Sequence, residues 1–413
     1  MNVIYNISIY TYYFFILVAS LFNKKAKLWI KGRKNIFSQL NNFNTEKKKT
    51  AWFHAASLGE FEQGRPIIEA FKKENPNYKI LITFFSPSGF EIRKNYELAD
   101  CVCYLPLDTP ANAKRFIKTV NPSIVFFIKY EFWFNYLNVL HTSNIPVFII
   151  SAIFRKEQHF FKWYGGWFVM QLKCFKHFFV QDENSKKLLA TIGFENATVC
   201  SDTRFDRVFT ASQQQKSFPL IEKFKNDSNL FVAGSTWEPD EKLIVSISKQ
   251  DIPNLKFLIA PHEINKNHIQ KLCQSIGPNV ILFSEATENN IQNAKIIIID
   301  SIGILLHLYQ YATLTYIGGG FGKGIHNILE ATAFGSPVIF GPNYQKFKEA
   351  NDLIEKGGAI SIKNFNKLFL ITRKLTGDEQ FRKNTSKICL DYINDNKGAT
   401  ETIIHFLKTI LPS

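Results

Sequence analysis

The sequence predicts an α/β protein built as two parallel-sheet halves in tandem, and three observations carry that prediction. Short apolar runs bounded by turn residues alternate with helical patterns, the rhythm of a parallel sheet covered on both faces. That rhythm pauses over a polar, pattern-poor stretch at 205–228 and then begins again. At 413 residues the chain has material for two hydrophobic cores. The glycine cluster from Gly318 to Gly324 also lies between an apolar run and a helical pattern. Such a strand-to-helix turn lets backbone N–H groups approach a phosphate.

Val3 to Phe22 carries no charge and is rich in Ile, Tyr, Phe, Leu and Val, while Lys24, Lys25, Lys27, Lys31, Arg33 and Lys34 come directly after it. An apolar stretch of that length can span a hydrocarbon core, and cations at its C-terminal end keep the rest of the chain on the cytoplasmic side. Asn6, Ser8 and Thr11 interrupt it, so a helix lying in the interface and a buried core helix stand beside the spanning reading. The expected division is 1–22 as membrane anchor, 23–210 as the first α/β domain and 211–413 as the second.

In the first half, strands are expected at 51–56, 79–85, 101–105, 123–128 and 146–150, with a helix over 65–73. Ligands of such sheets bind at the carboxyl ends of strands, so the residues just beyond them are the candidates. Strand 51–56 exits into Ser57-Leu-Gly-Glu60, where Gly59, Gly64 and Pro66 suggest a shaped loop. Glu60 there is either a general base for an acceptor hydroxyl or a first-turn glutamate favouring a helix dipole. Pro87, Ser88 and Gly89 form the turn after the second strand. Glu131 comes after the fourth strand within Lys129-Tyr-Glu-Phe-Trp133, where charges beside aromatics suit a sugar ring or an exposed helix start. Asp202 and Asp206 flank Arg204, alone an ordinary salt-bridged turn.

The second half predicts strands at 230–233, 257–260, 280–283, 296–299, 312–317 and 337–340. Gly234, Ser235 and Thr236 precede a helical pattern and offer small groups and hydroxyls at a helix N-terminus. Pro261 and His262 come after one strand, and Asp300-Ser301 after another. Gly318, Gly319, Gly320 and Gly324 lead into a helix expected to begin near Ile325. His326, Asn327 and Glu330 would lie in its first turns, with 326 and 330 on one face to address a phosphate and sugar hydroxyls. Four strand ends converging in one half are the residue-level argument for a nucleotide cleft.

The net charge of +15 admits phosphorylated substrates, anionic membranes and nucleic acid as partners. No RRM, KH or helix-turn-helix pattern accompanies it, so nucleic acid is not expected. Six cysteines show neither C-x-x-C pairs nor metal spacing and are read as free thiols. No P-loop, H-E-x-x-H, G-x-S-x-G, EF-hand or zinc pattern occurs, and neither a metal nor a cofactor is expected.

Taken in order, these residues resemble the 3-deoxy-D-manno-octulosonic acid (Kdo) transferases of lipid A assembly. The likeness runs through Trp52-Phe-His-Ala-Ala-Ser-Leu-Gly-Glu60, Pro87-Ser-Gly89, Tyr104-Leu-Pro-Leu-Asp108, Glu131-Phe-Trp133, Asp202-Thr-Arg-Phe-Asp206, Gly234-Ser-Thr236, Asp300-Ser-Ile-Gly303 and 318–349. The resemblance implies a GT-B fold of two Rossmann-like domains with a cleft between them, the acceptor bound by the first and CMP-Kdo by the second. It implies inverting transfer of Kdo to a lipid A precursor (lipid IVA) at the cytoplasmic face of the inner membrane. Glu60 then takes the role of general base, with Ser57, Gly59, Ser88 and Glu131 toward the acceptor. Gly234 to Thr236, Pro261, His262, the 318–324 glycines, His326, Asn327 and Glu330 would hold the nucleotide, with Glu330 on the ribose.

Two departures from the family pattern stand out. Lys129-Tyr-Glu131 occupies the place of Glu-Thr-Glu, and Ala260-Pro-His-Glu-Ile-Asn265 that of Pro-Arg-His-Pro-Glu-Arg. The alternative is another GT-B enzyme, a UDP-sugar-dependent lipid glycosyltransferase or a sugar-nucleotide epimerase.

Overall fold

The computed structural model describes residues 1–43, 48–214 and 216–411. Its chain forms two compact units, Met1–Asp206 with Gly398–Ser413, and Arg207–Lys397.

The first unit holds β1 (Thr50–Ala55), β2 (Lys79–Phe84), β3 (Cys101–Tyr104), β4 (Ile124–Ile128), β5 (Val147–Ala152), β6 (His177–Val180) and β7 (Ala197–Val199). They form one parallel sheet in the order β3-β2-β1-β4-β5-β6-β7. All six residues of β1 are buried, as a strand covered on both faces requires. Trp52 packs on one side with Leu81, Phe127 and Tyr136, while Phe53 packs on the other with Phe71 and Phe126. His54 is on the Trp52 side by strand alternation and lies in register with Thr83 of β2.

The second unit holds β8 (Asn229–Thr236), β9 (Leu255–Pro261), β10 (Val280–Leu282), β11 (Ile296–Ile298), β12 (Leu314–Ile317), β13 (Val338–Phe340) and β14 (Ala359–Ser361). Their order is β10-β11-β9-β8-β12-β13-β14, again parallel. Every expected strand is present, and β6, β7 and β14 are additions.

Three expectations need correction. Gly59, Gly64 and Pro66 do not shape a loop but lie inside the helix Leu58–Glu74. Gly64 is there because a Cβ would come within 2.1 Å of the Ile128 side chain, so glycine lets the helix rest on β4. The polar stretch at 205–228, where no pattern was read, is helical at Arg204–Gln213 and Pro219–Lys225, although Gln215 lies outside the described residues. The final helix Ala399–Ile410, expected in the second domain, belongs to the first unit. Its Ile403 and Leu407 join the core behind β1, and Asp206 caps its start by accepting from the N–H of Gly398 at 2.5 Å and of Thr400 at 2.6 Å.

The helix Asn2–Ala19 is the one helix among the described residues long and apolar enough to cross a membrane. One stripe of it is fastened to the first unit. Tyr5 donates to Asp108 at 2.6 Å, Asn6 accepts from Asn135 at 2.9 Å, and Asn2 accepts from Trp167 at 2.7 Å. Farther along, the Tyr12 ring stacks on Phe85. The opposite face leaves Val3, Ile7, Phe14 and Val18 exposed.

Candidate active site

The strand order of the first sheet reverses between β1 and β4, and that of the second reverses between β8 and β12. Crevices at such switch points, beyond the strand ends, are where doubly wound sheets take ligands. Both sets of sequence candidates lie there.

In the first unit, Ser57 and Glu60 leave β1 in the first turn of the helix Leu58–Glu74. Ser57 Oγ donates to Glu60 Oε2 at 2.8 Å and makes no cap bond to the backbone. Burial raises the Glu60 carboxyl above its ordinary range, the Glu131 charge adds to the rise, and Ser57 and Lys129 oppose it. A carboxylate raised this way is a better proton acceptor than a solvated one. Lys129, where the chain departs from the family, thus offsets part of the repulsion between Glu60 and Glu131. Its backbone is left-handed, at φ 72°. Gly59 is exposed, and a Cβ there would meet only the Ser57 hydroxyl, at 4.0 Å. Ser88 is exposed in the first turn of the helix Pro87–Arg93, its hydroxyl 3.0 Å from that of Ser86. Gly89 behind it is obligatory, because a Cβ would press on Phe84 and on the Leu58 backbone.

Glu131 is buried, and its Oε2 meets two nitrogens, Trp133 Nε1 at 2.6 Å and His54 Nε2 at 3.2 Å. His54 Nδ1 lies 2.8 Å from Thr83 Oγ1, which also accepts from Trp52 Nε1 at 2.7 Å.

In the second unit, β8 extends through Thr236, so Gly234, Ser235 and Thr236 are strand residues rather than a helix start. Ser235 is a left-handed bulge at φ 54°. Gly234 backs onto the Tyr309 hydroxyl, where a Cβ would come within 2.0 Å. The Thr236 hydroxyl is turned inward and donates to Glu241 at 3.1 Å. Pro261 pairs with Thr236, and the His262 N–H donates to the Thr236 carbonyl at 2.9 Å.

The glycine turn is shaped by close approach. A Cβ on Gly318 would stand 2.2 Å from the Ser235 carbonyl oxygen, and one on Gly320 would stand 2.6 Å from the Gly341 nitrogen. Gly319 and Gly324 take positive φ, at 91° and 143°. The Gly318 and Gly319 N–H groups are spent inside the fold, on the Gly234 carbonyl and on Asp240 Oδ2, both at 2.9 Å.

The expected helix from Ile325 is absent. Residues 324–328 run without helix, and the helix Leu329–Thr332 has only four residues. His326 and Glu330 therefore do not share a helix face, and no long dipole aims at the turn. The reason is local: the His326 N–H donates back to the Gly318 carbonyl at 3.1 Å, and Asn327 Oδ1 takes the Leu329 N–H at the same distance. Asn327 Nδ2 also donates to Glu330 Oε1 at 3.2 Å, and Arg207 lies 3.9 Å from that oxygen. Asp300 is likewise no helix cap, since its carboxylate accepts from the Ser284 N–H and hydroxyl.

Instead, three rings meet beside the turn. His262 stacks on His326 with centroids 4.2 Å apart and on Trp237 at 4.7 Å. Trp237 Nε1 donates to His326 Nε2 at 2.9 Å. Burial holds the His326 imidazole down at about 4, and His262 adds to the shift, so near neutral pH the ring is an acceptor there. Sequence reasoning missed Trp237, Asp240 and His54. Trp237 and Asp240 lie within the segment 234–241, but only their contacts give them roles.

The comparisons agree with this architecture. Residues 31–207 match the family model described as 3-Deoxy-D-manno-octulosonic-acid transferase (kdotransferase). A 3-deoxy-D-manno-octulosonic acid transferase of Haemophilus influenzae is 26% identical over 373 residues, covering 87% of each chain. One from Aquifex aeolicus is 28% identical, covering 78% of this chain and 84% of its own. Among solved structures, a putative UDP-N-acetylglucosamine 2-epimerase from Listeria monocytogenes superposes with a TM-score of 0.59 at 15% identity, over 88% of this chain and 96% of its own, a likeness of fold. The two Rossmann-like sheets are those of the GT-B fold. With residues 31–207 matching a Kdo transferase model and whole Kdo transferases alike over most of its length, the chain is similar to that glycosyltransferase family.

Proposed function

We propose that the protein transfers Kdo from CMP-Kdo to a lipid A precursor with inversion, Glu60 acting as general base. The observation that carries this reading is the carboxyl of Glu60, raised by burial and by Glu131 at the switch point of the first sheet. Glu60 takes the proton of an acceptor hydroxyl as that oxygen attacks the anomeric carbon of Kdo. The bond from that carbon to the phosphate oxygen breaks, and CMP leaves with the electron pair. The glycine turn, the ring stack and Glu330 of the second unit are the groups assigned to the nucleotide. A neutral His326 suits contact with a base or sugar better than charge neutralisation. The leaving phosphate then depends on backbone N–H groups and nearby cations.

The helix Asn2–Ala19 would hold the enzyme at the cytoplasmic face of the inner membrane by lying in the interface. Its fastened stripe contains Asn2, Tyr5 and Asn6, and a spanning helix pulled free would present those groups to lipid without partners. Docked as it is, the helix turns its apolar face outward beside Lys24, Lys25 and Lys27, the composition of a helix seated on anionic lipid.

The test is a transfer assay in detergent with freshly generated CMP-Kdo and a tetraacylated lipid A precursor, product mass being read directly. A mass gain of one or more Kdo units is expected. An intact donor, a folded protein and no product, with UDP binding in place of CMP, would replace this reading by a UDP-sugar enzyme.

A further inference from the structure

The buried histidine of β1 takes no part in the proton transfer at Glu60, yet it meets a residue of the same site. His54 is wholly buried, and both ring nitrogens have partners. In the triangle of Glu131 Oε2, His54 Nε2 and Trp133 Nε1 the indole always donates, at 2.6 Å from the carboxylate oxygen and 3.0 Å from Nε2, so the closer carboxylate is its better acceptor. A proton on Nε2 satisfies the carboxylate oxygen. A bare Nε2 would set a lone pair against it. The other end agrees: Thr83 Oγ1 already accepts from Trp52 Nε1, so its own proton is available for His54 Nδ1. With Nε2 protonated, one hydrogen-bond direction runs from Trp52 through Thr83 and His54 to Glu131.

We propose that His54 is a positioning residue for Glu131: its Nε2–H and the Trp133 indole N–H clamp one carboxylate oxygen, leaving the other for the acceptor beside Glu60. The proposal rests on the reading of this site as the acceptor site. A hydrophobic strand has little reason to carry a histidine, and here β1, β2 and the segment after β4 each contribute to the relay. An unclamped Glu131 would turn freely, and misplacement of a reacting group by about 1 Å can cost on the order of 100-fold in rate.

The experiment is a double-mutant cycle on the full-length protein in detergent, with kcat, acceptor KM and thermal midpoint measured for each variant. His54→Leu keeps the bulk and removes both nitrogens. It should lower kcat by about 10- to 100-fold with little change in midpoint. In a Glu131→Gln background the same change should alter kcat less than about twofold, because the clamp has lost its object. His54→Gln, whose amide N–H reaches about as far as Nε2, should recover most of the loss. Equal losses in both backgrounds, or wild-type kcat in a folded His54→Leu, would overturn the assignment. Should His54→Leu fail to fold, Thr83→Val probes the same relay, and its kcat loss must likewise vanish in the Glu131→Gln background. If the wild-type protein does not transfer Kdo, the reaction reading fails separately. Nitrogen NMR of the His54 ring then judges the clamp, an Nε2–H tautomer supporting it and an Nδ1–H tautomer refuting it.

Discussion

Asp240 holds the glycine turn in place, and replacing it should cost stability and nucleotide affinity together. It is buried at 1% exposure and accepts from Tyr316 OH at 2.7 Å, the Gly319 N–H at 2.9 Å and the Trp237 N–H at 2.9 Å. Trp237 begins a helix at the surface, so its N–H can turn to water. The Gly319 N–H and the Tyr316 hydroxyl are enclosed and cannot. A hydrogen bond to a charged group contributes about 1.5–3 kcal/mol, so Asp240→Ala, which strands two donors, should cost roughly 3–6 kcal/mol. For a domain of this size that is a fall in melting temperature of at least about 6 °C. Asp240→Asn is the discriminating control. Its oxygen can take both N–H groups, and its amide can donate to the Tyr316 oxygen, so about 1–2 kcal/mol is expected. Calorimetric titration with CMP should show affinity reduced at least about tenfold in the alanine variant and nearly kept in the asparagine variant. Equal losses in both, or an alanine variant with wild-type melting and affinity, would refute the account of the turn.

The remaining predictions concern the first unit. Glu60→Gln should abolish turnover and leave the melting temperature unchanged, and retained activity would remove Glu60 from the reaction. Glu131→Gln takes away a like charge that raises the Glu60 carboxyl, so the acidic limb of kcat/KM should move to lower pH, measured on whatever activity remains. An upward shift would contradict the assigned repulsion. Burial lifts the Asp108 carboxyl from 3.8 to about 6 despite donors from Tyr5, Asn135 and Tyr136. A raised folded-state value adds stability below about pH 4 that is lost as pH rises through 6, a difference of about 3 kcal/mol. Denaturant titrations should show wild-type stability falling relative to Asp108→Asn between pH 4 and pH 7, and parallel curves would disprove it. Ile7→Ser with Phe14→Ser, both on the exposed face of the first helix, should weaken sedimentation with anionic vesicles at least about tenfold. Unchanged partition would mean that this face does not meet lipid.

The strands that were legible in the sequence are those in which β-branched and aromatic residues run uninterrupted, such as Ile124–Ile128 and Val147–Ala152. Of the three missed, Ala197–Val199 and Ala359–Ser361 have three residues each and pair as edge strands with β6 and β13, while His177–Val180 has four and lies between β5 and β7. The glycine turn was read at the right place for a partly wrong reason. Its glycines answer to backbone packed against them at Ser235 and Gly341, contacts across more than one strand that no local pattern encodes. The same distance in sequence hid His54, whose partners are Thr83 and Glu131, while Glu60 was picked out by its place just beyond β1. The helix expected at Ile325 failed because Asn327 takes the Leu329 N–H, competing locally with an earlier helical start.

Asp206 has a consequence for how this molecule can be taken apart. The chain leaves the first unit there and re-enters it at Gly398, and those two residues are hydrogen-bonded to each other. Topologically the second unit is a cassette spliced into a single site of the first, with entry and exit touching. A short glycine bridge from 206 to 398 should therefore close the first unit without it. The excised cassette, its ends free, would serve for nucleotide titrations independent of detergent and lipid. If the bridged remainder failed to melt cooperatively, the two halves would have to be regarded as one folding unit.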